Sequence, residues 1–265
     1  MIDDNLELDF KPRVLATDLD GTLVPLPGNE SNRSALDVLE KAFSGNRIEL
    51  VFATGRPFES VLAAIADYGL PLPRWIACDV GTSIYRKTAD DFEPFDPYQE
   101  HLSKRVSGSG REAIEMAAKN ITGLQLQSAE NQKAYKVSYT CDAARLDSLV
   151  DAIDTACAGN ALPWRAMGSV DPFEGCGLID ILPEGVTKAY ALTWLATHAD
   201  YTASEVIYAG DSGNDLAALT SGARAIVVGN ASAEVRAAVA AELKKKQWSD
   251  RLYAAKSGGR NRVVT

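Results

Sequence analysis

The sequence predicts an α/β fold, a doubly wound (Rossmann-like) parallel sheet with an inserted α+β domain. Five apolar runs show almost no alternation of polar and apolar residues. These runs begin at Arg13, Arg47, Arg74, Glu205 and Ala223. Continuous hydrophobic runs are typical of parallel strands that are covered on both faces, and the helical patterns between them indicate a doubly wound sheet. From about Tyr85 to Leu182 this rhythm changes, which predicts the insertion.

Two helices are predicted around the second run. The first is NRSALDVLEKAF, and the second follows the run, with apolar side chains at helical spacing from Phe58 to Ile65. Pro57 near the start and Gly69 after the end suit the boundaries of this second helix, because proline favours the first turn and glycine favours the end.

The inserted region carries two helical and two strand patterns. The helices are GREAIEMAAKNI and CDAARLDSLVDAIDTACAG, and the strands are AYKVSYT and GLIDILP. The helical pattern KAYALTWLATHA and the run from Glu205 then resume the first layout. We therefore expect a core domain of residues 1–84 and 183–265 and an inserted domain of residues 85–182. The basic tail, which begins with KKKQ, fits a loose surface end and a docked terminal element equally well.

The charge balance limits the partners that the protein can bind. With 27 basic and 36 acidic residues the formal charge is −9. We therefore expect no broad attraction to nucleic acid or to an anionic membrane, and a phosphorylated substrate needs local compensation by a metal or a lysine. No apolar run is long enough to cross a bilayer, and the amino terminus is acidic where a secretory signal is basic. These features favour a cytoplasmic protein; no firm oligomeric state follows, and a monomer is favoured.

The cysteines argue against a structural metal site. The four cysteines are widely spaced, form no Cys-x-x-Cys pair and occur with only two histidines. This pattern does not match a zinc site, and free thiols in a reducing compartment fit it better.

Acidic residues follow the first apolar run. Asp18 and Asp20 come directly after it, at the carboxyl edge where open α/β sheets place their ligands. The alternative is a simple turn, since Asp-Gly is a strong turn dipeptide.

Other polar residues follow the second and fourth runs. Thr54 and Gly55 bring a hydroxyl and backbone amides to the same edge, although such a pair is also common at a loop entry. Asp211 ends the fourth run and Asp215 lies at the start of an apparent helix, where an acidic cap is the alternative.

Four carboxylates at one edge would repel one another. A divalent cation resolves this conflict, and an oxygen-only set without His or Cys favours Mg²⁺. Lys188, at the start of the helix after the insertion, is the remaining positive candidate. A plain solvated lysine is the alternative for that residue.

The ordered set DLDGT, ATG, Lys188 and GDSGND resembles the haloacid dehalogenase superfamily in its Mg²⁺-dependent phosphatase branch. The insertion resembles the α+β cap of C2 type, which makes residues 85–182 a substrate-specificity domain and the remainder a catalytic core. The segments DVGTSIY, YKVSY, LIDILP and VVGNASAE are most similar to sucrose-phosphate phosphatases. Mannosylfructose-phosphate and mannosyl-phosphoglycerate phosphatases share much of this pattern.

The resemblance implies a role for each motif residue. Asp18 would be the nucleophile that forms an aspartyl-phosphate, and Asp20 would protonate the leaving sugar oxygen and then activate water. Mg²⁺ would bind Asp18, the backbone oxygen of Asp20, Asp211, and Asp215 directly or through water. Lys188 would offset the charge of the nucleophile and the transferred group.

Further residues are implied in substrate binding. Thr54 and nearby amides such as that of Gly55 would hold the phosphoryl oxygens, and Ser212 and Asn214 would orient these partners. In the cap, Lys136 and Asp180 are candidates for binding sugar hydroxyls. A strand-edge charge and a solvated acid are their respective alternatives. Two residues would contribute to sugar binding from the core side: Gly81 and Thr82.

The function that these features imply is Mg²⁺-dependent hydrolysis of a sugar phosphate, of the sucrose-6-phosphate type. A related glycosyl phosphate phosphatase, a sugar phosphomutase, and a non-catalytic module that binds sugar phosphates are the alternatives. The phosphomutase would return the phosphoryl group to its product. A degenerate binding module would have lost Asp18, Asp20 or Lys188, and all three are present.

Overall fold

The structure, a computed structural model, describes residues 12–24, 36, 39–41, 43, 48–171 and 174–255. The helix predicted between the first two strands lies mostly outside these residues; within it, Leu36 and Leu39 are helical and buried. The chain divides into two compact units. One comprises residues 1–81, 85–93 and 188–265, and the other residues 82–84 and 94–187. None of the helices in the described part of the chain is long and apolar enough to cross a membrane.

The first unit contains an eight-stranded sheet. Its strands are β1 (Val14–Thr17), β2 (Glu49–Ala53), β3 (Trp75–Cys78), β4 (Ser83–Lys87), β5 (Phe92–Pro94), β10 (Val206–Gly210), β11 (Arg224–Val227) and β12 (Leu252–Ala254). Their order in the sheet is β12-β11-β10-β1-β2-β3-β4-β5. Every pair of neighbours from β12 to β3 is parallel, which confirms the predicted parallel sheet.

Burial explains why the central strands are mostly apolar. All four residues of β1 are buried, and so are the last four of β2. The fully described α-helices of this unit are Phe58–Tyr68, Lys188–His198, Leu216–Leu219 and Ala233–Lys245. The first of them begins after Pro57 and ends at Gly69, whose φ of 61° lets its N–H reach the carbonyl of Ile65. These boundaries confirm the prediction.

The carboxyl-terminal part of the described chain is docked on the sheet. Strand β12 pairs in parallel with β11. Arg236 fastens the junction, because its guanidinium donates to the carbonyls of Val228, Ala231 and Ala255. The docked alternative is therefore correct as far as Ala255, and the rest of the tail lies outside the described residues.

The second unit contains a four-stranded antiparallel sheet. Its strands are β6 (Gln125–Leu126), β7 (Val137–Cys141), β8 (Trp164–Val170) and β9 (Gly177–Pro183), in the order β6-β7-β9-β8. The helices of this unit are Asp96–Arg105, Arg111–Ala118 and Leu146–Gly159. The core includes Trp164, Ile153 and Ile179. This confirms the predicted α+β character of the insertion.

Strands β4 and β5 extend the large sheet, so residues 85–93 belong with the first unit. The assignment of residues 1–84 and 183–265 to catalysis and of 85–182 to specificity stays a prediction. The four cysteines are free thiols.

Candidate active site

Three carboxylates meet at the carboxyl edge of the large sheet. Asp18 follows β1, and Asp211 follows β10, the strand paired with β1. The N–H of Asp18 donates to the carbonyl of Ala209 in that strand at 2.9 Å. One carboxylate oxygen each from Asp18, Asp211 and Asp215 lies within 4.8 Å of the others. We call these three residues the carboxylate cluster.

Lys188 is the cation of this cluster. It is the first residue of the helix Lys188–His198, and only 1% of it is exposed. Its Nζ lies 2.9 Å from Asp18 Oδ1, 2.9 Å from Asp215 Oδ1 and 3.0 Å from Asn214 Oδ1. An ammonium has three N–H donors, so these contacts use them all.

Asp215 is fully engaged by protein donors. Its Oδ1 accepts from Lys188 and from the hydroxyl of Tyr208, the latter at 2.6 Å. Its Oδ2 accepts from the N–H of Asp211 and from the N–H and hydroxyl of Ser212. Five hydrogen bonds exceed the roughly four lone-pair positions of a carboxylate. The Ser212 hydroxyl oxygen also lies 2.8 Å from Asn214 Oδ1, so both predicted residues lie at this turn.

Gly21 allows the ends of β1 and β10 to touch. It has a φ of +73°, and a Cβ at this position would lie 2.5 Å from Asp211 Oδ2. Thr22 donates its hydroxyl to Asp211 Oδ1 at 3.0 Å, and Asn230 donates to the carbonyl of Gly21 at 2.8 Å. Both the conformation and the close approach therefore require glycine.

Asp20 is oriented differently from the cluster. Its carboxylate is 53% exposed and makes a bidentate pair with Arg56, with Nε–Oδ2 and Nη2–Oδ1 distances of 2.7 and 2.6 Å. Arg56 also donates to the hydroxyl of Ser60. The pairing raises the pKa of the Arg56 guanidinium. Arg56 was not predicted as a site residue, although it lies in the VFATGRP segment that ends β2.

Thr54 and Gly55 lie at the end of β2, as predicted. Thr54 is buried, and its Oγ1 accepts the N–H of Arg56 at 3.2 Å, which is the local loop bond expected of a structural threonine. Its carbonyl accepts the N–H of Val80. The loop after β2 is thus joined to the turn after β3.

The turn after β3 has an unusual backbone. Asp79, Val80 and Gly81 all have positive φ angles, of 52°, 61° and 94°, and all three are buried. Positive φ at a β-branched residue is costly and concentrates at functional sites. Thr82 follows in a buried position, and its carbonyl accepts from Gln99 Nε2 at 3.4 Å. Gly81 and Thr82, predicted on the core side, are therefore in or next to this turn.

Burial and mutual repulsion dominate the electrostatics. Burial, with the nearby charge of Asp215, raises the pKa of Asp18 to about 8 and that of Asp211 to about 6. Burial alone would also raise the pKa of Asp215, but the Lys188 ammonium and the Tyr208 hydroxyl outweigh it and hold that pKa below the ordinary value. Burial opposes the charge of Lys188, whose pKa is nevertheless raised by Asp18 and Asp215.

The carboxylate cluster fits a hard divalent cation. Three carboxylates face one ammonium, so the cluster carries excess negative charge, and all of its side-chain donors are oxygen. Mg²⁺ prefers such ligands. Because the oxygens of Asp215 already accept five hydrogen bonds, Asp18 and Asp211 are the better candidates for direct ligands.

A second buried lysine–carboxylate pair lies in the other unit. Lys136 is buried, and its Nζ lies 3.6 Å from Asp180 Oδ1. Ser138, which faces Asp180 across β7 and β9, donates to the same oxygen at 2.5 Å. The two predicted sugar-binding residues are thus in contact with each other.

Comparison with known proteins identifies the family. The sequence model of sucrose-6F-phosphate phosphohydrolase matches residues 11–263. The chain belongs to this family. This confirms the resemblance to haloacid dehalogenase phosphatases and their Rossmann-like fold with a cap.

Three proteins are similar to most of this chain, and they differ in how much of their own length it covers. A putative hydrolase of haloacid dehalogenase type from Nitrosococcus oceani is 33% identical over 92% of this chain, which spans 66% of that protein. Mannosylfructose-phosphate phosphatase from Agrobacterium fabrum is 31% identical over 85% of this chain and 87% of its own length. The sucrose-phosphatase of Synechocystis, solved with sucrose and phosphate, is 26% identical. Its TM-score is 0.71, with coverage of 96% of this chain and 93% of that one.

Proposed function

We propose that the protein is a Mg²⁺-dependent phosphomonoesterase that hydrolyses a sugar phosphate through an aspartyl-phosphate intermediate. The observation that carries this proposal is the contact of Asp18 with Lys188 inside a cluster of excess negative charge. Burial and the neighbouring carboxylates oppose the negative charge of Asp18, so a cation besides Lys188 is needed to keep this carboxylate ionised. The family match and the Synechocystis sucrose-phosphatase support a sugar phosphate as the substrate.

Asp18 would attack the phosphorus atom. An Asp18 oxygen forms a bond to phosphorus while the bond from phosphorus to the sugar oxygen breaks, and the sugar leaves as an alcohol. Lys188 lies 2.9 Å from the Asp18 carboxylate, where its charge offsets the negative charge on nucleophile and phosphoryl group.

A bound Mg²⁺ would supply the positive charge that lets an anionic carboxylate approach an anionic phosphate. Asp18, Asp211 and the backbone oxygen of Asp20 would hold it, with Asp215 acting through water. Thr54, Gly55, Ser212 and Asn214 would bind or orient the phosphoryl oxygens.

Asp20 would act as the general acid and then as the general base. It donates a proton to the leaving sugar oxygen, and in the second step it takes a proton from water as the water oxygen attacks phosphorus. The bond between Asp18 and phosphorus then breaks, which releases inorganic phosphate. Because Arg56 holds both oxygens of Asp20, this proton transfer requires Asp20 to exchange part of that pairing for the substrate.

The leaving group is proposed as sucrose, with a related disaccharide as the alternative. The relative from Agrobacterium fabrum carries a mannosylfructose-phosphate name, which supports that alternative. The sugar-binding roles of Lys136, Asp180, Gly81 and Thr82 stay predictions, as do a cytoplasmic location and a monomeric state.

A phosphate-release assay with Mg²⁺ tests the proposal. The substrates are sucrose-6-phosphate, mannosylfructose phosphate, mannosyl-phosphoglycerate, trehalose phosphate and hexose phosphates. We expect inorganic phosphate from one disaccharide phosphate, and a loss of at least about a thousandfold in kcat for Asp18→Asn, which keeps the shape of the side chain. Unchanged turnover in that variant contradicts the nucleophile assignment. An isomerised sugar phosphate without free phosphate indicates a phosphomutase.

A further inference from the structure

Tyr208 places a polar group beneath the site. It lies in the middle of β10, is 1% exposed, and resembles a core residue in the sequence. Its hydroxyl nevertheless donates to Asp215 Oδ1 at 2.6 Å, and the same oxygen accepts from Lys188 Nζ at 2.9 Å. Tyr208 and Lys188 therefore share one carboxylate oxygen.

The two oxygens of Asp215 have separate tasks. Oδ2 is bonded to Asp211 and Ser212 within its own turn, which fixes that turn. Oδ1 is bonded to a strand residue and a helix residue that are distant in the chain. Without the hydroxyl of Tyr208, Oδ1 would be bonded to Lys188 alone in this network, and the ammonium would be drawn toward Asp215 and away from Asp18.

We propose that Tyr208 is a positioning residue: its hydroxyl shares the Asp215 carboxylate with Lys188 and so keeps the ammonium directed at Asp18. The hydroxyl does this without adding charge to the cluster. A phenol hydroxyl is uncharged near neutral pH. The catalytic consequence rests on the proposed phosphatase function, whereas the placement of Lys188 does not.

The test compares two tyrosines that have the same bond in different places. Tyr201 donates its hydroxyl to Glu49 Oε2 at 2.7 Å, and Glu49 opens β2 at the opposite edge of the same sheet. Tyr208→Phe and Tyr201→Phe each remove one O–H donor from a carboxylate and keep the ring. We expect kcat for a sugar phosphate to fall about ten- to a hundredfold in Tyr208→Phe, with KM within about twofold of the unchanged protein, because a small misplacement of a catalytic group costs this much.

We expect Tyr201→Phe to keep both constants while its thermal midpoint falls. A general loss of stability would therefore not reproduce the split between kcat and KM. Activity is measured well below the lower of the two midpoints. A kcat in Tyr208→Phe within twofold of the unchanged protein, or an equal loss of kcat in both variants, overturns the proposal.

A crystal structure of Tyr208→Phe gives a readout that does not depend on activity. We expect Lys188 Nζ to move beyond hydrogen-bond distance of Asp18 while it keeps Asp215. An ammonium that stays on Asp18 overturns the proposal even if kcat falls. If the unchanged protein releases no phosphate from any sugar phosphate, the proposed function fails, and this structural result alone decides the placement of Lys188.

Discussion

Each unit of the protein buries a lysine against a carboxylate, but the two sites differ in their charge balance. In the second unit, Lys136 faces one carboxylate, Asp180, and Ser138 completes the group. In the first unit, Lys188 faces two carboxylates, and Asp211 adds a third charge within 4.8 Å. One lysine and one carboxylate form a balanced pair, because their charges cancel. Three carboxylates around one lysine form an unbalanced cluster, whose remaining negative charge favours a further cation. The excess charge supports the proposal that the first site carries out the phosphoryl chemistry.

The largest expected effect tests this difference directly. Asp211→Asn removes one charge from the unbalanced cluster and one predicted Mg²⁺ ligand, so we expect the activity on a small aryl phosphate to fall at least about a hundredfold. Asp180→Asn is the matched control, because it makes the same chemical change in the balanced pair. We expect that variant to retain activity within about threefold. The activity is measured as kcat/KM over a Mg²⁺ titration. A similar loss in both variants contradicts the proposed difference between the two sites.

The second expected effect concerns the sugar. Lys136→Ala and Asp180→Ala should raise KM for the sugar substrate about tenfold, because each removes a protein partner of a sugar hydroxyl. KM for a small aryl phosphate should not change, since that substrate has no sugar hydroxyl. Michaelis constants for both substrates check this. If KM rises equally for both substrates, the role of Lys136 and Asp180 is to stabilise the fold of their unit.

The smallest expected effect is on stability. Asp18 and Asp211 have pKa values raised in the folded protein, so their contribution to stability is complete below the ordinary aspartate pKa and is lost as pH rises through about 6 and then about 8. Bound Mg²⁺ should restore that loss. We expect saturating Mg²⁺ to raise the thermal midpoint by about 5 °C at pH 8 and by less than half as much at pH 5.

Thermal melts with and without Mg²⁺ measure this shift, and Asp211→Asn serves as the control because it removes one of the two titrating groups. A Mg²⁺ shift of equal size at both pH values contradicts the assignment of these carboxylates to the cation site.

Site residues could be predicted from the sequence where polar side chains directly follow a predicted strand. Asp18 and Asp211 could be predicted because each follows an apolar run, and parallel strands bring their carboxyl ends to one edge. Tyr208 could not, because a tyrosine inside such a run has the pattern of a core residue. Arg56 lies in the VFATGRP segment, but its pairing with Asp20 could not be predicted, because the orientation of the guanidinium depends on the conformation of the loop.

The same limit applies to the fold. Strand β8 was not predicted, since most of its residues are not buried and it includes Arg165 and Gly168, which weaken a strand pattern. Strand β5 is three residues long and ends in proline. The helix Asp96–Arg105 buries only Tyr98 and Leu102, so its apolar periodicity is slight.

The contact between Gly21 and Asp211 has a consequence for how the protein is made. Thr22, next to Gly21, is bonded to Asp211 across 189 residues of chain. Such a pairing has high contact order and forms late, because the long connection must close first. When about the first two hundred residues have been synthesised, Asp18 and Asp20 are present but Asp211 is not. A chain arrested at that point should bind Mg²⁺ weakly and release no phosphate, so the proposed activity requires synthesis to continue past Asp211.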